Sequence, residues 1–272
     1  MKKIGKKAVA AAAALVLSIG LGLFAQTASA VTVSSSRWQL KSGDTMLYHG
    51  TTYVSLRAFS EAMGASQVLW EDGAAQVYAN GWTLWAKPGE QYLTANGRYY
   101  YIPNEVLLRN GRTMVPVRAI AAAYGAKVDW KPGRVTITEG SGSSVPGHAY
   151  YDTDSVYWLS RIISSESRGE PLDGQIAVGN VVMNRVASSQ FPNTIYGVIF
   201  DQQHGVQFEP VSNGSIHQEP TAMSVIAAKL VLEGANTGRQ ALYFFAPELS
   251  QGTWIANNRT YSHTIGCHRF YL

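Results

Sequence analysis

The residue whose setting is hardest to explain as ordinary surface is Glu166. Val156, Leu159, Ile162 and Ile163 recur at helical spacing, and the next position on that stripe is Glu166. Burial disfavours an ionised carboxylate, and so does the negative end of a helix that Gly169 and Pro171 stop just beyond. Both effects raise the pKa. A carboxylic acid kept protonated near neutral pH is what general-acid cleavage of a glycosidic bond requires. Periodicity alone also allows Glu166 to turn toward solvent or to pair with Arg168 or Arg185. Glu170, past the glycine in what reads as an exposed loop, is a weaker acid candidate, and Asp173 reads as a helix cap.

Two other constellations compete. His204, His217, His263 and His268 suggest a metal-dependent amidase, but there is no H-E-x-x-H and their spacings match no common zinc pattern. Neither metal nor cofactor is expected. Cys267 is the single cysteine. A nucleophilic thiol needs a base within reach, yet on a strand its neighbour His268 points to the opposite face, and His263 approaches only through a turn. An exported chain with one cysteine forms no internal disulfide, so packing must stabilise it.

Export is expected from the first thirty residues. Lys2, Lys3, Lys6 and Lys7 precede an uninterrupted apolar run from Ala8 to Phe24 and a small-residue stretch ending at Ala30, the pattern of a secretory signal peptide cleaved after Ala30. An uncleaved anchor is the alternative. Lys+Arg number 22 against Asp+Glu 18, a formal net charge of +4. Those four lysines hold the whole surplus, so the basic balance gives no reason to expect nucleic acid as a partner. With 46% hydrophobic and 15% charged residues, the remaining chain can bury cores and suits two modest domains.

The elements divide accordingly. Val54 to Trp70 (VSLRAFSEAMGASQVLW) lines up with Val115 to Trp130 (VPVRAIAAAYGAKVDW): Arg57 matches Arg118, Gly64 matches Gly125 and Trp70 matches Trp130. Each copy reads as strand, short helix, strand, strand. The doubled V-x-x-R-A…G-A…W pattern resembles the copper amine oxidase N-terminal-like (stalk) domain, here over residues 31–139; the resemblance implies no copper site. Residues 140–147, GSGSSVPG, read as a flexible linker by composition. The module is net positive and residues 148–272 net negative, three charges each way. In the second domain helices are expected from Asp152 or Thr153 to about Arg168, from about Asp173 to Ala187 and from Glu219 to Glu233. Short strands are expected in Ala241–Ala246 and Thr264–Leu272.

The stretch Arg161 to Ile199 carries E-x-R-G-E-P…G-Q-x-A-V…N-R-V…F-P-N-T…G-V-I, beginning at Glu166. QFEPV, ALYFF and the terminal IGCHRFY follow. This series resembles the SleB/CwlJ-type cell wall hydrolase domain, associated with spore cortex lysis at germination. The resemblance implies a lysozyme-like catalytic core acting on peptidoglycan strands of N-acetylmuramic acid and N-acetylglucosamine, with the first glutamate of the motif, Glu166, as the acid. Cys267 departs from the pattern, where Asn or Lys is expected. The fold class is thus α+β: a doubled small α+β module followed by a mostly helical lysozyme-like domain with a small sheet.

The expected chemistry is protonation of the glycosidic oxygen by Glu166, which then as a base takes the proton of the sugar's own C6 hydroxyl and closes a 1,6-anhydro ring. The resemblance favours this lytic transglycosylase reaction. A second carboxylate that activates water, Asp201 or Glu209, would give a hydrolytic muramidase instead. Substrate contacts are expected from Gln207 and Phe208 in a polar loop and from Tyr243 and Phe245 on one face of a strand, with Asn184 and Arg185 bracing the groove. A monomer is expected, secreted to the wall or spore cortex. Its basic module is a candidate for holding anionic wall polymers, or is a spacer. A non-catalytic wall-binding protein is the remaining alternative.

Overall fold

The computed structural model describes residues 31–203, 205–250 and 253–272; the expected signal peptide lies outside them. Among the described residues no helix is long and apolar enough to cross a membrane.

The first half runs β1 (Thr32–Ser34), β2 (Thr45–Tyr48), β3 (Thr51–Ser55), α1 (Leu56–Ala62), β4 (Gln67–Glu71), β5 (Ala74–Ala79) and β6 (Trp82–Ala86). It continues through β7 (Tyr92–Ala95), β8 (Arg98–Tyr101), β9 (Leu107–Arg109), β10 (Arg112–Pro116), α2 (Val117–Ala123), β11 (Lys127–Lys131) and β12 (Arg134–Thr138). Both copies of the repeat fold as strand, short helix, hairpin. They meet where the motif begins: β3 and β10 are antiparallel with Val54 opposite Val115, which are equivalent residues of the two copies. Ser55 caps α1 by accepting the amide of Ala58, and Pro116 stands at the same place before α2. Gly64 and Gly125, at φ +87° and +63°, end the two helices in the left-handed conformation that favours glycine. Tyr53, Phe59, Ile120 and Tyr124 fill the core between the sheets.

Residues 140–147 are held down rather than loose. The Ser144 amide donates to Ala123 O at 3.0 Å, and its carbonyl accepts from Asn96 Nδ2 at 2.8 Å. A Cβ on Gly140 or on Gly147 would collide with the backbone of Gly125 or of Gly97. The glycines that read as flexibility instead permit close approach to the module.

The second half contains α3 (Gly147–Tyr150), α4 (Thr153–Ser167), α5 (Leu172–Ala187), α6 (Ile195–Ile199), α7 (Glu209–Asn213), α8 (Ala222–Leu232), β13 (Tyr243–Phe245), α9 (Thr253–Asn258), β14 (Tyr261–Ile265) and β15 (His268–Tyr271). Helices α4, α5 and α8 pack on one another through Leu159, Ile163, Val178, Val182, Ala227 and Leu230. Gly179 lets them close, since a Cβ there would lie 2.8 Å from Ile163 Cδ1 and 2.9 Å from Val231 Cγ2. Asp152 caps α4 as expected. The third helix starts later than expected, at Ala222, because Thr221 caps it by accepting from the Ser224 amide. Pro171, not Asp173, stands at the cap of α5, and Asp173 lies in its first turn. Strand β15 lies between β13 and β14, all antiparallel.

Asp173 faces the module instead. Its carboxylate accepts from Tyr101 Oη at 2.6 Å and Gln91 Nε2 at 3.1 Å. Beside it, Arg98 makes a two-pronged pair with Glu233, Nε to Oε1 at 2.6 Å, and Tyr151 donates to the same carboxylate at 2.8 Å. Tyr92 of the module is buried in the second core. The two halves are therefore docked through buried charges and aromatics.

Candidate active site

Glu166 sits in the last turn of α4, where its helix neighbours Ile162 and Ile163 are fully buried. Its carboxyl lines a cavity of about 1260 Å³ between the end of α4, the start of α7 and the β13 strand. Burial pushes its pKa up to about 7; the nearby charge of Glu209 adds to the rise and that of Arg185 opposes it. The acid is thus half protonated near neutrality.

Arg185 comes from α5 and is 5% exposed. Its Nε donates to Leu242 O at 2.8 Å, and its guanidinium stands 4.9 to 5.4 Å from the rings of Phe191, Phe208 and Tyr243. Burial lowers its pKa to about 10, which still leaves it charged at neutral pH. Asn184, one residue earlier, donates to Arg239 O and Ala241 O at 3.0 and 2.9 Å. The pair fixes the chain leading into β13.

All four expected substrate contacts line the same cavity as Glu166. They are not alike. Gln207 is positioned by donating to Gly205 O at 3.1 Å, with its carbonyl 3.5 Å from Arg185 Nη1. Tyr243 is half-buried and accepts from Arg259 Nη2 at 3.0 Å. Phe208 belongs to the core at 3% exposure, and Phe245 stacks on Tyr271. Gln207 and Tyr243 bring polar groups to the cavity wall, whereas Phe208 and Phe245 are buried beneath it. Trp254 and Arg259 also line the cavity and were not expected from the sequence. Trp254 is largely exposed on α9, a helix with no apolar periodicity to mark it. Asp201 and Glu209 line the cavity too, so two further carboxylates share it with Glu166.

Glu170 differs from expectation. Its side chain is only 10% exposed, with Oε2 accepting the Cys267 amide at 3.0 Å and Oε1 lying 3.7 Å from His268 Nδ1. A Cβ on Gly266, at φ +56°, would fall on that carboxylate. Glu170 thus clamps the β14–β15 turn. Cys267 is exposed, and the Glu170 charge beside it raises its thiol pKa, which disfavours a nucleophile. The histidines are dispersed: His263 stacks on Phe270, His217 sits by Trp158, His268 borders the cavity, and His204 lies outside the described residues.

Fold and cavity together define an α+β protein of two docked parts, the second keeping a half-buried carboxylic acid in an aromatic-walled groove. The cell wall hydrolase family matches residues 169–271, and the copper amine oxidase N-terminal domain matches residues 37–138. A spore cortex-lytic enzyme of Bacillus cereus is 35% identical over 132 residues, 48% of this chain and 49% of that protein. The cell wall hydrolase CwlJ of Oceanobacillus iheyensis is 31% identical over 96 residues, 33% of this chain and 67% of that protein. The solved catalytic domain of the germination-specific lytic transglycosylase SleB from Bacillus anthracis is 35% identical and is wholly covered by 47% of this chain, with a TM-score of 0.42. The chain belongs to the cell wall hydrolase family, with a copper amine oxidase N-terminal domain ahead of the hydrolase domain. It spans about half the length of the spore cortex-lytic enzyme it matches.

Proposed function

We propose that the protein cleaves the glycan strands of peptidoglycan as a lytic transglycosylase, with Glu166 acting first as acid and then as base. One observation carries the reading: Glu166 is a half-buried carboxyl whose desolvation pushes its pKa up to about 7, opening into a large polar and aromatic groove. The matched family residues begin at 169, so the assignment of the acid rests on this geometry and on the motif around it.

Glu166 gives its proton to the oxygen joining N-acetylmuramic acid to N-acetylglucosamine, and the sugar passes through an oxocarbenium-like transition state. Several side chains favour this. Arg185 tempers the pKa rise, so that the acid releases its proton at neutral pH and the carboxylate left behind has a cation nearby. Trp254, largely exposed beside the Arg259 guanidinium, offers its indole to the sugars, and Gln207 an amide to an N-acetyl group. The Glu166 carboxylate then accepts the C6 hydroxyl proton as the anhydro ring closes. General acid–base assistance of this kind contributes roughly 10²–10⁴-fold.

The names of the relatives support cortex peptidoglycan as the substrate; action outside the cytoplasm, after removal of the first thirty residues, rests on the signal-peptide pattern of the sequence. The chain works as a monomer, and the basic N-terminal module holds it to the wall.

Hydrolysis is the second reading, favoured by Asp201 and Glu209 in the same cavity. Mass spectrometry of products from purified cortex and vegetative wall tests both. Anhydro-muramic ends are the expected result; reducing muramic ends would establish hydrolysis, and absence of soluble fragments would overturn the function.

A further inference from the structure

The two repeats differ at one place that matters chemically. In the first copy Arg57 pairs with Glu61, one turn further along α1, at 3.7 Å. In the second copy the equivalent arginine is Arg118, and the residue one turn along is Ala122. Among the described residues Arg118 makes no hydrogen bond and no ion pair, and it is exposed. An unpaired guanidinium on a surface is unremarkable by itself.

Arg118 does not stand on an open surface, however. It lines a second cavity of about 660 Å³ between the module and the catalytic domain. Trp130 lines the same cleft while remaining 54% exposed, because it lies on β11, an edge strand of its sheet. From the catalytic domain Asn236, also exposed, reaches the cleft just beyond Glu233. The cleft exists only while the two halves are docked, and Glu233, the residue that Arg98 grips, forms part of its wall.

These groups specify a ligand chemistry. An exposed indole is a flat apolar face of the kind that stacks on a sugar ring, an unpaired guanidinium takes a carboxylate in two parallel hydrogen bonds, and an amide matches an N-acetyl group or a hydroxyl. A polymer that offers sugar rings, N-acetyl groups and carboxylates together is a peptidoglycan strand bearing stem peptides. We infer that the interdomain cleft is a second glycan-binding site, in which Trp130 stacks on a sugar and Arg118 pairs with a stem-peptide carboxylate. The inference rests on the wall-substrate reading and goes beyond it by placing wall attachment at the junction rather than on the module's general charge.

The test uses the full chain carrying Glu166→Gln, to prevent turnover, titrated by calorimetry with the disaccharide pentapeptide N-acetylglucosaminyl-N-acetylmuramyl-peptide. Two sites per chain are expected. Trp130→Ala, Arg118→Ala and Arg118→Glu should each weaken the cleft site by about tenfold or more, the scale set by one lost charge-assisted contact. Trp70→Ala and Arg57→Ala, the equivalent changes in the first copy, should leave both sites intact. All these side chains are exposed, and an unchanged melting temperature confirms that each variant folds. One site in the parent chain, or identical titrations for the parent and the cleft variants, overturns the inference. So does displacement of the fragment from the cleft by a glycerol-phosphate polymer, which would make the occupant a phosphodiester. Failure of the function is read separately, by whether the unmutated protein digests wall at all.

Discussion

Glu170 holds the backbone amide of Cys267 at 3.0 Å across 97 residues of chain, and the turn it grips has a glycine, Gly266, where any Cβ would strike the carboxylate. The link ties the start of α5 to the hairpin that carries His268 to the cavity wall. Gly266→Ala combines a positive φ with that collision, so it should cost about 2 kcal/mol or more and lower the melting temperature by several degrees. Cys267→Ser keeps the backbone amide and should melt and digest wall as the parent does. Thermal melts of the two variants side by side check this; equal melting for Gly266→Ala would remove the clamp from the account.

Burial of Glu166 makes stability depend on pH. Its pKa rises from 4.5 to about 7 on folding, so the unfolded chain loses this proton at lower pH than the folded one. The contribution is fully present below about pH 4.5 and is lost as pH rises through about 7. At 1.36 kcal/mol per pH unit the native state surrenders about 3 kcal/mol across that window. Glu166→Gln cannot ionise and should therefore melt higher than the parent at pH 8 but not at pH 4. Melting curves at both pH values decide it, and a variant no more stable at pH 8 would mean that Glu166 is not buried as described.

Activity should follow the same group. The acid works protonated, so turnover should fall as pH rises through about 7. Glu209 raises that pKa and Arg185 lowers it. Glu209→Gln should shift the alkaline limb toward lower pH, and Arg185→Met should shift it upward while also reducing the rate. Limbs that do not move in opposite directions would contradict the assigned electrostatics. The products of Glu209→Gln should remain anhydro-ended; an altered product would implicate Glu209 in activating water.

Much of this was legible in the sequence where the signal is local. The doubled V-x-x-R-A pattern marked both helices of the module, and the apolar stripe through Leu159, Ile162 and Ile163 delivered Glu166 to the wall of the cavity. What escaped was set by partners far along the chain. Asp173 looks like a helix cap because Asp often is one, yet its partners are Tyr101 and Gln91 in the module. The Gly/Ser run 140–147 looks loose because composition does not reveal that Gly125 and Gly97 lie against it. Trp254 sits on a short helix with no periodicity to betray it, and Arg259 follows just past its end.

Among the contacts that dock the halves is one buried ion pair, Arg98 with Glu233. Arg98→Ala would strand the Glu233 carboxylate, whose side chain is 6% exposed, and breaking such a pair costs roughly 3–5 kcal/mol. Calorimetry should resolve the parent's unfolding into two separated transitions in the variant. A single transition at the parent's temperature would show that the pair contributes nothing to docking.

The central claim is that Glu166 is the acid. Purified Glu166→Gln, incubated with cortex peptidoglycan at pH 6, should bind the wall and release soluble fragments at a rate at least about a hundredfold below the parent, the lower end of what acid–base assistance supplies. Release at the parent's rate would contradict the account.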